Sequence, residues 1–432
     1  GEWRYDGPLA GRFGMCQDGK ERSLRPELFL YGNWKVGKNQ SIETVYDGYY
    51  SRNHYLNSNV EDGNAYIADV TENFLRSQLK VFYNLKFNHG NSLSINLYEV
   101  LRLSKSHYHG LSPLWQRLRS SETLLFAAYT QRLGRWLFYV MPGVSYLNYQ
   151  LKGYETITHL TPRLNLSVAN RLSEVQMLRA EFALGNTYPT LNTVNHVTQQ
   201  VDRVMLRRGN PDMHNSILLS PRLTYGLTFP RLSMNLSANY LFCNHGITSD
   251  YFAEGDKMVH TFRSDTRYHV PSCSFSTTYR PSKAFNVKMD ASWERFVLKG
   301  GTQIRHTAWG GTLEANCYIN DFALSASVKT PKHLLVENRR LMKTGWLYDI
   351  GLAWNHNNVG VEMNCSNPFI KHNIAETDLL AGVYAYHGER QSCWHNQYAT
   401  LKMVWSIDYG KKTSKSARDV RKNAESAILK AE

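Results

Sequence analysis

The chain has 432 residues and a formal net charge of +14, which results from 50 Lys and Arg against 36 Asp and Glu. Apolar residues make up 42% and charged residues 20%, a balance that excludes a disordered chain. No apolar run approaches about 18 residues, so a protein that crosses a membrane with helices is excluded as well. Aromatic residues reach 12%, with Tyr the most frequent at 27, and this is the unusual feature of the composition.

The N-terminal stretch gives the first prediction. It reads GEWRYDGPLAGRF, without a charged segment followed by an apolar one. A signal peptide has that pattern, so we expect either that one was removed or that the chain is a fragment. The first predicted strand follows over residues 25–36.

Strict alternation of apolar and polar side chains predicts strands along the whole chain. In residues 216–229 the odd positions are apolar, and the even positions are polar or glycine with one exception. After Pro230-Arg231 the register inverts, and the even positions of 232–242 are apolar. This pattern predicts an antiparallel hairpin with one apolar and one polar face. Similar alternation recurs over residues 285–294, 312–319 and 398–409.

Short turns and long connections alternate between the predicted strands. The short turns lie at 37–39, 89–91, 134, 171–173, 230–231, 281–283, 320–321 and 355–358. The long connections lie at 57–71, 105–120, 188–215, 330–344 and 367–395. Short turns at one end and long loops at the other are typical of a transmembrane β-barrel, whose turns are periplasmic and whose loops are extracellular. Eight hairpins and a final strand give about seventeen strands, each long enough to span a bilayer.

Aromatic side chains on the apolar faces cluster beside the short turns. They are Trp34, Phe87, Phe229, Phe285 and Tyr409. Aromatic rings favour the headgroup level of a membrane, whereas ordinary strand propensity is the alternative explanation. The sequence therefore predicts an all-β protein, a transmembrane antiparallel up-and-down β-barrel in the outer membrane of a Gram-negative cell.

Strand direction bears on whether this barrel is complete. The first predicted strand and the last, at 397–410, run the same way, so their count is odd, whereas bacterial barrels close with an even number. The chain is then either an 18-stranded barrel or the later part of a barrel of about 22 strands. We expect the second arrangement. Residues 1–410 would form an outer-membrane barrel without its first strands and N-terminal plug, and residues 411–432 a basic, polar, solvated periplasmic tail.

Two segments resemble a known family. Residues 208–213, Arg-Gly-Asn-Pro-Asp-Met, precede a strong predicted strand and look like the GNPxL-type segment of TonB-dependent receptor barrels. The C-terminal sequence from Ser406, which closes on Ser426-Ala427-Ile428-Leu429, is similar to the end of Bacteroidetes outer-membrane β-barrel proteins of that superfamily. The resemblance implies a receptor that imports a ligand captured by the long loops. Its energy would come from the TonB complex through a plug that is not recognisable in this chain.

Two other functions remain open from the sequence. The chain is alternatively a complete 18-stranded passive porin, or a barrel that serves as an adhesin or a scaffold for surface lipoproteins. No enzyme is expected, because GxSxG, HExxH, Walker and CxxC motifs are all absent from the sequence. We expect no cofactor or metal site either. Among the six cysteines, Cys365 with Cys393 is the pair to test for a disulfide.

The positive charge is spread over the predicted lumen face. The basic residues on the polar faces of the predicted strands are Arg76, Lys80, Lys86, Arg163, Arg222, Lys288 and Lys402. A nucleic-acid-binding protein needs a clustered patch, so no nucleic-acid partner is expected. A positive lumen suits the docking of a plug, which we favour, or the attraction of anionic solutes. In connection 188–215, Arg207 and Arg208 are the candidate ligand-binding residues, for an anionic ligand.

Overall fold

A computed structural model of the chain describes residues 15–61, 63–109, 113–301, 303–336, 339–371, 373–380, 385–392, 396–406 and 425–430. Apart from one 3-10 turn at Asn88–Gly90, the regular structure of these residues consists of strands. None of their helical segments is long and apolar enough to cross a membrane.

The strands are numbered in chain order. The first twelve are β1 (Met15–Leu24), β2 (Glu27–Gly37), β3 (Gln40–Glu61), β4 (Asn64–Lys86), β5 (Ser92–His109), β6 (Leu114–Leu133), β7 (Trp136–Leu151), β8 (Ile157–Asn170), β9 (Gln176–Thr187), β10 (Thr198–Gln200), β11 (Met205–Arg208) and β12 (Ser216–Thr228). The others are β13 (Leu232–Glu254), β14 (Lys257–Ser282), β15 (Phe285–Lys299), β16 (Ile304–Ile319), β17 (Phe322–Lys329), β18 (His333–Val336), β19 (Arg340–Lys343), β20 (Leu347–His356), β21 (Val359–Ser366), β22 (Asn373–Leu380), β23 (Ala385–Ser392) and β24 (Tyr398–Trp405).

The wall of the molecule is one antiparallel meander. Successive wall strands pair with each other, from β2 with β3, through β9 with β12, to β21 with β24. β1 and β2 lie end to end against β3, and Pro26, which has no backbone N–H to donate, stands at the break between them. With β1 and β2 counted as one and the short β10 and β11 set aside, the described residues supply seventeen wall strands. This agrees with the number that the turns predict.

The alternation of side chains decides which face of the wall is inside. On β4 the apolar Leu75 and Leu79 are exposed on the outer face, whereas Phe74 and Arg76, the neighbours of Leu75 in the chain, are buried. An apolar outer face and a partly polar inner face are the arrangement of a transmembrane barrel. Four of the five predicted interface aromatics, Trp34, Phe87, Phe229 and Phe285, are exposed beside the short turns, and Tyr409 lies outside the described residues.

Two of the predicted long connections are strands instead. β3 and β4 stay paired up to Glu61 opposite Asn64, so residues 57–71 form a hairpin. β5 and β6 likewise stay paired up to Tyr108 opposite Leu114. The prediction of loops is wrong here because apolar alternation weakens where a strand passes beyond the membrane. The backbone ladder does not need that alternation and continues.

The sheet curls around an interior, because strands far apart in sequence meet on common segments. Leu147 and Tyr149 of β7 pack in the same cluster as Val194 and Met213, which belong to the connection between β9 and β12. Phe262 of β14, a strand that follows this connection in the chain, also packs against that cluster. The inner face of the wall therefore surrounds this connection.

The two end strands of the described wall have one neighbour each. β2 pairs with β3 and β24 pairs with β21, and no ladder joins β2 to β24 within the described residues. Apolar side chains along both edges, among them Leu30, Trp34, Leu401 and Trp405, are more than half exposed. The described wall thus has a seam with two open edges, which a closed barrel lacks.

A second, four-stranded antiparallel sheet lies at the loop end of the wall. It contains β18 and β19 from one long connection and β22 and β23 from the next, and we call it the outer sheet. Leu335 and Leu380 of the outer sheet pack against Phe296, Leu298 and Ile304 of the wall. This small apolar contact attaches the outer sheet to the inner side of β15 and β16.

Candidate functional site

Connection 188–215 crosses the mouth of the barrel at the loop end. Val194 and Met213 are almost fully buried and pack with Leu147 of β7. Val197 is also buried and packs with Tyr55 of β3. The connection therefore bridges the inner faces of two distant parts of the wall.

The Gly-Asn-Pro segment holds the connection in this path. A Cβ on Gly209 would lie 1.7 Å from the backbone oxygen of Asn195, so only glycine fits there. The N–H of Asn210 donates to the backbone oxygen of Thr193 at 2.7 Å, and its side-chain amide donates to that of Phe262 at 2.9 Å. The segment that carries the family resemblance thus closes the connection on itself and ties it to β14.

Residues 425–430 lie beneath this connection, inside the barrel, and we call them the lumen segment. Ala427 is 2% exposed and Leu429 is fully buried. Ile428 packs with Tyr55 and Val70 on the inner faces of β3 and β4. This differs from the solvated tail predicted for residues 411–432. The remainder of that tail, residues 411–424 and 431–432, lies outside the described residues.

The buried carboxylate of Glu72 is the main attachment of the lumen segment. Glu72, on β4, is 1% exposed. Its Oε2 accepts a hydrogen bond from the Ser426 hydroxyl at 2.6 Å, and its Oε1 accepts one from the Ala427 N–H at 2.9 Å. The wall supplies two more donors, the Asn53 amide at 2.8 Å and the Ser104 hydroxyl at 2.7 Å. A buried carboxylate with four donors is well satisfied without a cation.

Two tyrosine hydroxyls hold the backbone on either side of Glu72. The hydroxyl of Tyr49 accepts from the N–H of Glu425 at 3.0 Å, and the hydroxyl of Tyr108 accepts from the N–H of Leu429 at 3.2 Å. These contacts come from β3 and β5, the neighbours of the strand that carries Glu72. Three adjacent strands therefore bind the same short piece of chain.

The crossing connection binds the lumen segment from the other side. Asn195, 2% exposed, donates from its side-chain amide to the backbone oxygen of Ala427 at 3.2 Å and to the Tyr108 hydroxyl at 2.6 Å. Arg207 donates to the backbone oxygen of Lys430 at 3.0 Å. The lumen segment is thus enclosed between wall and connection.

Charge complementarity fixes the first residue of the lumen segment. The Glu425 carboxylate lies 3.2 Å from Nε of Arg76 and 2.7 Å from Nε of Arg102. Arg76 also lies 4.0 Å from the Asp47 carboxylate, and Arg102 lies 3.8 Å from that of Glu122. The positive lumen predicted from the sequence is therefore neutralised here in part by a carboxylate from the same chain.

A cavity of about 360 Å³ lies beside the lumen segment. Its lining includes Arg102 and Glu122 from the wall, Tyr188 and Leu191 from the crossing connection, and Glu425 from the lumen segment. Burial raises the pKa of the Tyr188 phenol, so this hydroxyl is protonated and serves as a neutral hydrogen-bonding group. We call this cavity the chamber; its lining offers both charges and aromatic surface.

The two predicted ligand-binding arginines lie apart from the chamber lining. Arg208 makes two hydrogen bonds to the Glu254 carboxylate, at 3.0 and 3.2 Å, and one to the Thr198 hydroxyl. Arg207 binds the lumen segment and lies over the ring of Phe262 at 5.9 Å. Their role in ligand capture stays a prediction.

The described residues bear on metal and disulfide chemistry as follows. These residues contain no group of three or more His, Cys, Asp or Glu that could hold a metal ion. Within the same part of the chain Cys243, Cys273, Cys317 and Cys365 have free thiols. Cys393, the proposed partner of Cys365, lies outside the described residues.

The sequence predictions miss Glu72, Tyr108 and Asn195 as binding residues. Glu72 and Tyr108 lie beside or within stretches predicted as loops, where side-chain direction could not be assigned. Asn195 stands in a connection whose path depends on the distant Met213 and Phe262. One signal was present, because the C-terminal Ser-Ala-Ile-Leu interrupts a lysine-rich tail with apolar residues, which a solvated tail does not need.

The comparisons with known proteins bear on the fold. No family model matches the chain, and no curated protein does. Solved structures are similar to it over most of its length at low identity. The copper transporter OprC is 9% identical, with 92% of this chain and 76% of that chain covered and a TM-score of 0.64. The ferric citrate transporter FecA is 9% identical, with 89% and 62% covered and a TM-score of 0.63.

A third structure is similar in the same way. The siderophore receptor PiuA from Acinetobacter baumannii is 10% identical, with 91% of this chain and 65% of that chain covered and a TM-score of 0.59. The chain thus spans between about three fifths and three quarters of the length of these proteins. The predicted fold class, an all-β antiparallel barrel, is confirmed.

Proposed function

We propose that this chain is the barrel portion of an outer-membrane receptor that takes up a ligand in a TonB-dependent manner. The observation that carries the proposal is the chamber at the loop end, which is covered by connection 188–215 and bounded by the lumen segment. A barrel whose mouth is crossed by its own chain suits capture of a specific ligand better than free diffusion. The named transporters and receptors of similar fold support the same class of function.

The open seam supports the expectation that further strands complete the barrel. A closed barrel satisfies every backbone donor and acceptor in the membrane, whereas two unpaired edges in lipid would each leave a row unsatisfied. We infer that additional strands pair with β2 and β24 and bring the barrel to about 22 strands, and that a plug accompanies them. This plug is the part through which the TonB complex would act.

The experiment uses the protein purified from its native outer membrane. A TonB-dependent receptor should be heat-modifiable on gels, bind the purified periplasmic domain of TonB, and give no steady conductance in planar bilayers. Steady conductance without TonB binding would favour the passive porin. Recovery of a stoichiometric surface lipoprotein without TonB binding would favour the scaffold.

Ligand identity requires a direct assay. Radiolabelled copper and ferric citrate are suitable first probes, because two transporters of similar fold are named for them. Uptake by cells that express the receptor should stop when a protonophore removes the energy supply. Uptake that continues at the same rate with the protonophore would argue against energised transport.

A further inference from the structure

The barrel wall binds the lumen segment as a protein binds a peptide ligand. Residues 425–430 belong to no strand, and their backbone is held by side chains rather than by a backbone ladder. The N–H groups of Glu425, Ala427 and Leu429 each donate to a different wall side chain. These backbone contacts hold any extended peptide in place, whereas selectivity comes from the surroundings of its side chains.

Each position of the lumen segment meets a matching environment. Glu425 lies between two arginines, and the hydroxyl of Ser426 donates to the Glu72 carboxylate. Ala427 is closely surrounded, so a small residue is required, and Ile428 packs among apolar side chains. The order of an acid, a hydroxyl, a small residue and two branched aliphatic residues therefore defines a recognition sequence.

We propose that the lumen contains a sequence-selective peptide-binding site, which the C-terminal segment of this chain occupies reversibly. Its ligand class is a short extended peptide of the type Glu-Ser-Ala-Ile-Leu-Lys. Departure of the segment removes Glu425 and Ser426 from the chamber lining and enlarges the chamber. The site thus sets how much of the lumen is open, whichever solute the barrel takes up.

The wall tolerates an empty site, which makes exchange feasible. When the segment leaves, Glu72 still accepts hydrogen bonds from Asn53 and Ser104, so its carboxylate is not left without donors. Arg76 and Arg102 keep Asp47 and Glu122 as neighbours. Entry of water can satisfy the remaining positions.

The chain also has the reach that reversible occupation requires. The N–H of Ser406 donates a hydrogen bond to the backbone oxygen of Asn358 at the short-turn end, whereas the lumen segment lies near the loop end. The eighteen residues 407–424 can span at most about 60 Å when extended. We infer from this contour length that the segment can enter or leave the site while β24 stays in place.

The first test is hydrogen exchange on the full chain in detergent micelles. The amides of residues 427–429 should be protected, and Glu72→Ala should accelerate their exchange at least tenfold. Glu99→Ala is the matched control, because Glu99 lies on β5 and accepts its hydrogen bond from Thr123 instead. Rapid exchange of these amides in the unaltered protein, or equal acceleration by both substitutions, would overturn the proposal.

The second test measures binding in trans. A chain that ends at residue 424 is purified, its heat-modifiability is checked, and a labelled acetyl-Glu-Ser-Ala-Ile-Leu-Lys peptide is added. Saturable binding is expected, at least tenfold weaker for a scrambled peptide and for the Glu72→Ala variant of the shortened chain. Absence of saturable binding, or equal binding of the scrambled peptide, refutes a sequence-selective site. Both tests are independent of TonB and of the transported ligand.

Discussion

Connection 188–215 and the outer sheet both cover the loop end of the barrel, yet they are stabilised in opposite ways. The connection is partly buried in the lumen, and outside the short ladders of β10 with β11 and of β11 with β14 it is held by single hydrogen bonds from side chains such as Asn195 and Asn210. The outer sheet is held by a backbone ladder, and its charged side chains, among them Lys343 and His387, lie at the surface. A ladder shares its stability among many equal bonds, whereas the connection depends on a few specific residues.

This difference predicts which region responds to which perturbation. Burial makes every lost hydrogen bond or added atom costly, so substitutions should matter in the connection. Exposed ion pairs contribute little and respond to salt and pH, so the outer sheet should tolerate substitutions of its charged residues. The predictions below follow from this contrast in decreasing order of effect.

Gly209→Ala should have the largest effect. The added Cβ would lie 1.7 Å from the Asn195 oxygen, so the backbone of the connection has to move. Overpacking of this kind costs about 1–3 kcal/mol, which corresponds to roughly a 5- to 150-fold loss of exchange protection in residues 193–213. This loss of protection is measured by hydrogen exchange on the purified barrel.

A second glycine near the same connection provides the control for this experiment. Gly185, on β9, has no atom within 4 Å of the position of an added Cβ. Gly185→Ala should therefore leave the protection of the connection unchanged. If Gly209→Ala also leaves it unchanged, the close approach of Gly209 to Asn195 does not fix the path of the connection.

Asn195→Ala should have the next largest effect. It removes the amide that donates to both Tyr108 and Ala427 and leaves their oxygens with one donor fewer in a buried place. Loss of a buried hydrogen-bonding partner costs about 1–3 kcal/mol. Exchange should accelerate in the connection and also in the lumen segment. Asn192→Ala, at a partly exposed position on the chamber wall, is the control and should alter neither region.

The fold could be predicted from the sequence because the apolar and polar residues of each barrel strand alternate within that strand. On β12 and β13 the period of two and the inversion at Pro230-Arg231 assign strand, turn and face from neighbouring residues alone. The hairpin of β3 and β4 extends further than predicted. Polar residues occupy both faces of its end, so the alternation that predicts a strand is absent there. Local patterns thus determine the wall wherever lipid forces one face to be apolar.

The candidate site could not be predicted in the same way. Glu72 and Ser426 are separated by 354 positions, and no local pattern connects them. Gly209 was recognised through a family resemblance, but its structural reason, the approach to Asn195, depends on the path of the whole connection. Contacts of the lumen are nonlocal, so they form only when the wall curls around its interior.

Acidification should affect the two regions in opposite directions. Burial lowers the pKa of His196 in the connection, because it disfavours the imidazolium. The hydrogen bond to Asp378 raises the pKa of His387 in the outer sheet and lowers that of Asp378. The pKa of the histidine in the connection is therefore lowered, whereas the pKa of the histidine in the outer sheet is raised.

The signs follow from proton linkage. An opened connection binds a proton at His196 more readily than the closed one, so its stability should fall as pH drops below about 6.5. The contribution of His387 is complete below its ordinary pKa and is lost as pH rises through the raised value, whereas that of Asp378 is lost only in strong acid. Between pH 5 and 8, corrected exchange rates should fall in the connection and rise in the outer sheet. His196→Phe should weaken the first trend and leave the second, and parallel trends would contradict the assignment.

Lys343→Ala should have the smallest effect. Lys343 pairs with Glu376 and, at 3.6 Å, with Asp378, but all three side chains are about a quarter to a third exposed, and solvent screens such pairs. Proteolysis of the outer sheet should change by less than twofold at physiological salt. Leu335→Ala on the same sheet is the comparison, because Leu335 packs against Phe296 and Leu298 and its loss removes apolar contact with the wall. If Lys343→Ala loosens the sheet as much as Leu335→Ala does, ion pairs stabilise it, and the contrast with the buried connection fails.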